Sequence, residues 1–293
     1  MIRILTDGGS DLTRQLAEKY QIEVLPIPVN DGENEYLGDE LSSDKLFSEM
    51  KRGKVYKTSQ VSVGIYEQSF RKFLENGDDI IYISLSSGVT ATYDSACSVR
   101  ESLLKEFPEA KIYVLDSFCA TWGLGLVAIR AAKMVIDNLS YDEIIRAIEF
   151  YKIHQQHIFS VMTLDFLIRG GRLSKTAGVI GGLLKLMPII EIEKSLGKLQ
   201  KLDKAKGEKN LFKKLIEKLD SYNNFNHNQT MVISYGENND IALRFKSLLV
   251  KHYNIDEKNI LIEQLGAVIG AHTGPDFLGI FFLDELYNEY NIL

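Results

Sequence analysis

One stretch of the sequence, residues 80–93, joins an apolar strand pattern to a hydroxyl-rich turn and the start of a helix. Its first half is a continuous run of apolar, mostly β-branched residues, which is typical of a strand buried on both faces. The hydroxyl groups of the turn around Gly88 belong to Ser84, Ser86, Ser87, Thr90 and Thr92. Ligands of open α/β sheets bind beyond the carboxyl ends of strands and near helix N-termini, so this corner is a candidate binding site.

The chemistry of the corner favours a small anion. The turn contains no lysine and no phosphate-loop pattern, so a polyphosphate ligand is disfavoured. Hydroxyl and backbone N–H groups without a fixed cation suit a single carboxylate. The alternative is that the cluster only caps the helix that follows, because serine and threonine are preferred N-cap residues.

The bulk properties exclude several classes of protein. The chain has 293 residues and a net charge of −6, which argues against nucleic acid as a partner. Cys97 and Cys119 are too few for a disulfide framework and indicate a reducing compartment. A strand-like segment follows Met1 directly, and no apolar run is long enough to span a membrane, so we expect a cytoplasmic protein without a signal peptide.

The order of predicted elements indicates two α/β domains. Strands and helices alternate over the first 155 residues or so, which predicts a parallel, doubly wound sheet in an α/β/α sandwich. The second half contains a predicted hairpin over residues 188–202 and crossover units, which predict a mixed six-stranded sheet with helices on one face. We place the boundary near residue 160, giving domains 1–160 and 161–293.

Three further segments carry candidate site residues. Thr58-Ser59-Gln60 forms a second hydroxyl cluster, although Ser62 beside it also suits a helix N-cap. Arg169-Gly170-Gly171-Arg172 holds two guanidinium groups on a sharp turn, suited to a carboxylate or phosphate or simply to solvent. His272 and Thr273 lie in a predicted glycine-rich loop over residues 266–275, where the glycines permit close approach of a ligand.

Two other features have structural explanations, and for the first of them a functional alternative stays open. Residues 177–190 are small and apolar, and they either fill the core or form the wall of an apolar tunnel. Asp7, Asp11 and Asp116 each follow a predicted strand and are explained as turn or cap residues. No compact acidic motif is present, so we predict no metal site.

Taken together, these motifs resemble the DegV family, which includes the fatty-acid-binding subunits of bacterial fatty acid kinases. The matching segments occur in the family's order along nearly the whole chain: Thr6-Asp7-x-x-Ser10-Asp11-Leu12, Thr58-Ser59-Gln60-Val61-Ser62, Ile83-Ser84-Leu85-Ser86-Ser87-Gly88-Val89-Thr90-Ala91-Thr92-Tyr93, Leu164-x-x-Leu167-x-x-Gly170-Gly171-Arg172-Leu173-Ser174 and Gly270-Ala271-His272-Thr273-Gly274-Pro275.

The resemblance implies a two-domain fold that buries a long-chain fatty acid between the domains, with Thr58 and Thr90 as carboxylate ligands. It also implies that the acid is presented to a separate ATP-dependent kinase for acyl phosphate formation, so that this chain has no catalytic residue and no cofactor of its own. A transient membrane contact is compatible with that role. The expected ligand-binding residues are Thr58, Ser59, Ser87, Gly88, Thr90, His272 and Thr273, with Arg169 and Arg172 near the mouth for partner binding or phosphotransfer.

The corner departs from the family pattern Ser-Ser-Gly-Leu-Ser-Gly-Thr-Tyr, because Val89, Thr90 and Ala91 replace Leu, Ser and Gly. The extra methyl group of Thr90 predicts a tighter pocket mouth. Two alternative functions stay open at this point. One is a lipid transport or regulatory protein without a kinase partner, and the other is a hydrolase-type enzyme with a Ser or Thr nucleophile and His272.

Overall fold

The computed structural model describes residues 1–174 and 186–287 of the chain. The elements of the first half are β1 (Ile2–Asp7), α1 (Arg14–Tyr20), β2 (Glu23–Leu25), β3 (Val29–Asn30), β4 (Glu35–Tyr36), α2 (Ser43–Lys51), β5 (Lys57–Thr58), α3 (Val63–Glu75), β6 (Asp79–Ser84), α4 (Thr92–Glu106), β7 (Ile112–Asp116), α5 (Thr121–Ile136) and α6 (Tyr141–His154). Those of the second half are β8 (Gln155–Ser160), α7 (Asp165–Arg169), β9 (Leu186–Glu193), β10 (Lys198–Lys206), α8 (Glu208–Asp220), β11 (Met231–Tyr235), α9 (Asn239–Tyr253), β12 (Ile260–Gln264), α10 (Ala267–Thr273) and β13 (Leu278–Leu283).

A four-stranded parallel sheet with strand order β2-β1-β6-β7 forms the centre of the first half. Four successive residues of β6, Ile80 to Ile83, are fully buried. Because successive side chains of a strand point to opposite faces, both faces of the sheet must be covered. The pair α3 and α4 and the pair α5 and α6 provide this cover, so the predicted α/β/α sandwich is confirmed.

The second half is built on a mixed six-stranded sheet with strand order β10-β9-β8-β13-β11-β12. Only β11 and β12 are parallel to each other. Ile158 and Ile280 pack in an apolar cluster beneath α8 and α9, as predicted for a sheet with helices on one face. Their neighbours Phe159 and Phe281 point to the opposite face and join the core of the first half.

Strand β8 (Gln155–Ser160) lies on the N-terminal side of the predicted domain boundary near residue 160, but it belongs to the six-stranded sheet of the second half. The change from one sheet to the other therefore occurs at Gln155, where helix α6 ends.

A third, small antiparallel sheet with order β4-β3-β5 corrects two sequence predictions. The sequence of residues 23–29 predicts one strand, but β2 ends at Leu25, because Pro26 and Pro28 cannot donate ladder hydrogen bonds. The polar, acidic residues 31–41 predict a loop, but Glu35–Tyr36 within them form β4. This sheet positions the candidate ligand Thr58, which pairs with Val29.

Two of the helix N-caps predicted from the sequence are confirmed by the structure, and one is wrong. The Ser140–Glu143 capping box of α6 and the Ser62 N-cap of α3 are confirmed. The sequence offers Ser10 or Asp11 as the N-cap of the first helix, but α1 is capped by Thr13, because Asp11 adopts a left-handed conformation that ends the preceding turn. The charged residues 204–209 predict a flexible segment, but Lys204 to Lys206 continue strand β10 and α8 begins at Glu208.

The predicted glycine-rich loop is a helix. Residues 267–273 form α10, with Gly266 as N-cap and Gly274 as C-cap. Gly270 has to be small, since a Cβ there would lie 2.9 Å from side-chain carbons of Leu46 and Phe47 in α2. Glycine therefore allows close helix packing here instead of a flexible loop.

Within the described ranges, no helix combines the length and the apolar character needed to cross a bilayer. The same residues contain no group of three or more His, Cys, Asp or Glu side chains arranged to hold a metal ion.

Candidate functional site

A cavity with about 660 Å³ of space between protein atoms is lined by residues from both halves of the chain. Most of its wall is apolar, with Leu85 from the first half and Phe159, Ile192, Leu199, Phe277 and Phe281 from the second. The remaining wall includes a set of polar side chains that we call the polar end: Thr58, Ser59, Thr90, Arg172, His272 and Thr273. Six of the nine predicted site residues therefore line one cavity.

The polar end contains a direct contact between Thr58 and His272. Strand β5 holds Thr58, helix α10 holds His272, and the Thr58 Oγ1 to His272 Nε2 distance is 2.7 Å. Burial, reinforced by the charge of Arg172, lowers the pKa of His272 to about 3. The imidazole is therefore neutral near pH 7.

The surroundings of His272 also assign its tautomer. The other ring nitrogen, Nδ1, is buried and has no hydrogen-bond partner among the residues that the structure describes. An unpaired buried N–H group is rarer and costlier than an unpaired lone pair, so we assign the hydrogen to Nε2. His272 then donates to Thr58 Oγ1, and the Thr58 hydroxyl hydrogen is left to be donated elsewhere.

The depressed pKa of His272 predicts a pH dependence of stability. Between pH 3 and 6.5 the unfolded chain binds a proton at this residue and the folded chain does not, so stability rises with pH through that window and is complete above it. The expected loss from this residue between pH 7 and pH 5 is about 2 kcal/mol. Urea unfolding of His272→Gln should show a pH dependence weaker by that amount, and an unchanged pH profile would contradict the assignment.

Thr90 lies in the corner after β6, before helix α4. The Thr92 N–H donates to Thr90 Oγ1 at 3.3 Å, and the two hydroxyl oxygens are 2.9 Å apart. Thr92 is fully buried, whereas Thr90 lines the cavity. Thr90 therefore lines the cavity, and its neighbour Thr92 fixes the position of its hydroxyl.

Ser87 and Gly88 have different surroundings from the other predicted ligands, and neither lines the cavity in the part of the chain that the structure describes. The Ser87 hydroxyl and N–H both donate to the Asp116 carboxylate. Gly88 packs on the β9–β10 turn, where a Cβ would lie 2.3 Å from the carbonyl oxygen of Gly197. We therefore propose that these two residues hold the corner in place and do not contact the ligand.

A buried carboxylate, that of Asp7, also holds the corner in place through hydrogen bonds. Asp7, at the end of β1, accepts hydrogen bonds from the Leu85 N–H and the Tyr82 hydroxyl, both at 2.8 Å. Tyr66 in turn contacts the Tyr82 hydroxyl at 2.8 Å. Burial raises the pKa of Asp7 to about 6 against the effect of these bonds. Asp7 therefore has a structural role beneath the corner, as its prediction as a turn or cap residue implied.

Arg172 connects the corner to helix α7. Its Nε donates to the Val89 carbonyl at 3.1 Å and its Nη1 to the Gly170 carbonyl at 2.6 Å. Burial lowers the pKa of this guanidinium, which nevertheless remains a cation because the ordinary value is so high. Arg172 therefore brings a half-buried positive charge to the polar end.

A second cavity of about 470 Å³ adjoins the polar end and shares Thr58, Arg172 and His272 with the first. Lys57 and Arg169 also line it. Arg169 is exposed and its guanidinium lies 5.0 Å from the ring centroid of Phe166. The polar end thus adjoins a basic surface formed by Lys57, Arg169 and Arg172, which we call the basic mouth.

The two glycines between the arginines predict contrasting mutant effects. A Cβ at Gly170 would lie 2.3 Å from His272 Nδ1, whereas one at Gly171 meets no atom of the described residues within 4 Å. Gly170→Ala should displace the imidazole and weaken binding of a ligand at the polar end by about tenfold, the value of one hydrogen bond to a charged group. Gly171 has φ +75°, so Gly171→Ala should lower unfolding stability by about 1 kcal/mol through strain and leave binding unchanged. Equal ligand affinities in the two variants, measured by calorimetry, would contradict this arrangement.

Several cavity residues were not predicted from the sequence. Thr121 and His157 bring polar atoms to the wall, and the phenylalanines of β8 and β13 form much of its apolar part. The alternation of Ile158 with Phe159 is a signal that both faces of β8 are buried, but it does not identify which face borders a cavity. Of the predicted tunnel wall at residues 177–190, residues 177–185 lie outside the described residues. Residues 186–190 belong to strand β9.

Comparison with known proteins agrees with this architecture. A family model described as "Uncharacterised protein, DegV family" matches residues 1–285. A DegV domain-containing protein of Clostridium perfringens is 34% identical over 285 residues, which cover 96% of this chain and 97% of the relative.

Solved structures of similar proteins cover the same extent. A DegV family protein from Thermus thermophilus, described as fatty acid binding, has a TM-score of 0.85 at 27% identity and covers 96% of this chain and 98% of its own. A stearic-acid-binding protein from Eubacterium ventriosum has a TM-score of 0.84 at 25% identity, with 96% and 97% covered. DegV of Bacillus subtilis, described as a fatty acid binding protein, has a TM-score of 0.79 at 26% identity, with 96% and 98% covered. The present chain therefore belongs to the DegV family.

Proposed function

We propose that this protein binds one long-chain fatty acid in the cavity between its two halves, with the carboxylate at the polar end. The observation that carries the proposal is the polar end itself, because hydroxyl donors and a cation line one part of a mostly apolar wall. The solved relatives described as fatty acid binding support the same ligand class.

The carboxylate would accept hydrogen bonds from Thr58 and Thr90. Thr58 accepts from His272 Nε2, so its own hydrogen is free for the ligand. Thr90 is free in the same way when Thr92 is the donor of the pair. Arg172 adds a positive charge nearby, and these interactions offset the cost of removing a carboxylate from water.

The acyl chain would supply most of the binding free energy. Each buried methylene is worth about 0.8 kcal/mol, so a chain with ~14 methylenes gains on the order of 10 kcal/mol. Such a ligand should survive purification. The carboxylate contribution can be separated by calorimetry, comparing hexadecanoic acid with hexadecanol in the delipidated protein. Affinity for the acid should exceed that for the alcohol at least tenfold, and equal affinities would remove the polar end from the proposal.

We further propose that the bound acid is presented to a separate ATP-dependent kinase through the basic mouth. Lys57, Arg169 and Arg172 surround the opening next to the carboxylate, where the negative charge of a transferred phosphoryl group would develop. The alternative is lipid transport or regulation without a kinase. Incubation of the loaded protein with a fatty acid kinase subunit and ATP distinguishes them, because only the first role yields acyl phosphate.

A hydrolase with Thr58 as nucleophile has one observation in its favour, the 2.7 Å contact with His272. Two others oppose it. An imidazole whose pKa is about 3 is a weak general base at neutral pH. Within residues 1–174 and 186–287, its Nδ1 has no carboxylate partner of the kind that orients the histidine of a catalytic triad. Covalent labelling of Thr58 by an alkyl phosphonate would favour the hydrolase over the binding protein.

A further inference from the structure

The inner wall of the cavity carries a second polar feature, separate from the polar end. Thr121 lines the cavity, is 4% exposed, and its hydroxyl has no hydrogen-bond partner among the described residues. A buried hydroxyl left without a partner typically costs on the order of 10- to 100-fold in an equilibrium constant, so such groups are usually satisfied by a ligand or by water.

Thr121 is the first residue of helix α5, and that helix end presents further donors. Ala120, the N-cap residue, provides no side-chain hydrogen bond to the first turn. The first N–H groups of a helix have no intrahelical acceptor. The chain itself supplies acceptors to two of them, since the Ala120 N–H donates to His157 Nε2 at 3.2 Å and the Gly123 N–H donates to the Ala120 carbonyl at 3.1 Å. His157 also lines the cavity, so this helix end faces the ligand space.

The charge state of the neighbours limits what would bind there. Burial lowers the pKa of His157 far below its ordinary value, so the imidazole is neutral. Phe281 packs edge-on against the same ring, with the centroids 5.5 Å apart. His157 and Phe281 are therefore neutral neighbours of this helix end. The charge that acts on His157 is that of Lys194, whose Nζ donates to the Phe118 carbonyl and which does not line the cavity in the described part of the chain. The two neutral side chains suit a neutral oxygen atom better than a second carboxylate.

We propose that Thr121 and the N-terminus of α5 form a subsite for an oxygen substituent on the acyl chain, so that the protein accepts hydroxylated long-chain fatty acids. This inference rests on the proposed function, because the chain reaches the subsite only when its carboxylate occupies the polar end. The hydroxyl of the ligand would accept from the helix N–H groups and exchange a hydrogen bond with Thr121 Oγ1. A plain acyl chain would leave Thr121 unpaired or paired with a water molecule.

The test uses octadecanoic acid and a series of octadecanoic acids with one hydroxyl at successive positions, titrated into the delipidated protein by calorimetry. Thr121→Val removes only the hydroxyl and keeps the β-branch, so the strain at φ 49° is matched. Thr121→Ser restores the hydroxyl. We expect one hydroxylated isomer to lose about tenfold in affinity relative to octadecanoic acid in Thr121→Val and to recover that ratio in Thr121→Ser.

Two results would overturn the inference. If Thr121→Val changes the affinity of no hydroxylated isomer, or of every ligand equally, the hydroxyl serves a water molecule or the fold. In that case the unmodified octadecanoic acid still binds, and the proposed function stands. If octadecanoic acid itself fails to bind the wild-type protein, the proposed function and the subsite fall together.

Discussion

Replacing Thr58 and Thr90 together with valine should yield a folded protein that no longer retains fatty acid. Valine matches the shape of threonine and removes the two hydroxyl groups expected to donate to the carboxylate. Each such bond to a charged group is worth about 1.5–3 kcal/mol, so the double variant should lose at least 100-fold in affinity. Mass spectrometry of organic extracts from equal amounts of the purified proteins measures the retained lipid directly.

A matched control separates this effect from a loss of stability. Thr13 is the N-cap of α1, where its hydroxyl accepts from the Leu16 N–H, and it does not line the cavity in the described part of the chain. Thr13→Val should cost about 1 kcal/mol of unfolding stability and leave the lipid content unchanged. Wild-type lipid content in the Thr58→Val, Thr90→Val protein would refute the carboxylate assignment.

Gly88→Ala should have the largest effect on stability among the single substitutions considered. The added methyl group would lie 2.3 Å from the Gly197 carbonyl oxygen and 2.7 Å from that of Leu196, both of which are backbone atoms. Ser86 donates to the same Gly197 carbonyl at 2.7 Å, so the corner and the β9–β10 turn have to separate or distort. We expect a loss of about 3 kcal/mol in urea unfolding and a weaker affinity for the fatty acid.

Gly64→Ala provides the comparison for this substitution. Gly64 lies in the exposed first turn of α3, and a Cβ there meets nothing within 4 Å. Alanine should stabilise the helix by about 0.5 kcal/mol. If Gly88→Ala were as stable as Gly64→Ala, the close packing of the corner on the turn would be wrong.

The features that could be predicted from the sequence are those with strong local patterns. The run Ile80 to Ile83 predicts a strand buried on both faces, and Ser140 with Glu143 predicts the start of α6. The alternation of elements likewise predicts the two sheets. These signals depend on side-chain period and capping chemistry, which act between neighbours in the chain and leave a clear record in the sequence.

The site depends on contacts between distant residues, which leave no such record. Thr58 and His272 are 214 positions apart and meet through a two-residue strand and a seven-residue helix. Neither element is long enough to show a period. The sequence predicts a loop at the position of helix α10, because glycines suggest flexibility. Their role in close packing becomes visible only when the neighbouring helix α2 is known. The resemblance to the DegV family, and not periodicity, brought Thr58, Thr90 and His272 together in the prediction.

The analysis of the lipid bound to the purified wild-type protein tests the central proposal most directly. Native mass spectrometry followed by organic extraction gives both the stoichiometry and the chemical identity of the ligand. We expect close to one long-chain fatty acid per protein chain, released on denaturation as the free acid. A protein that carries no fatty acid, and that binds none when hexadecanoic acid is added after delipidation, would contradict it.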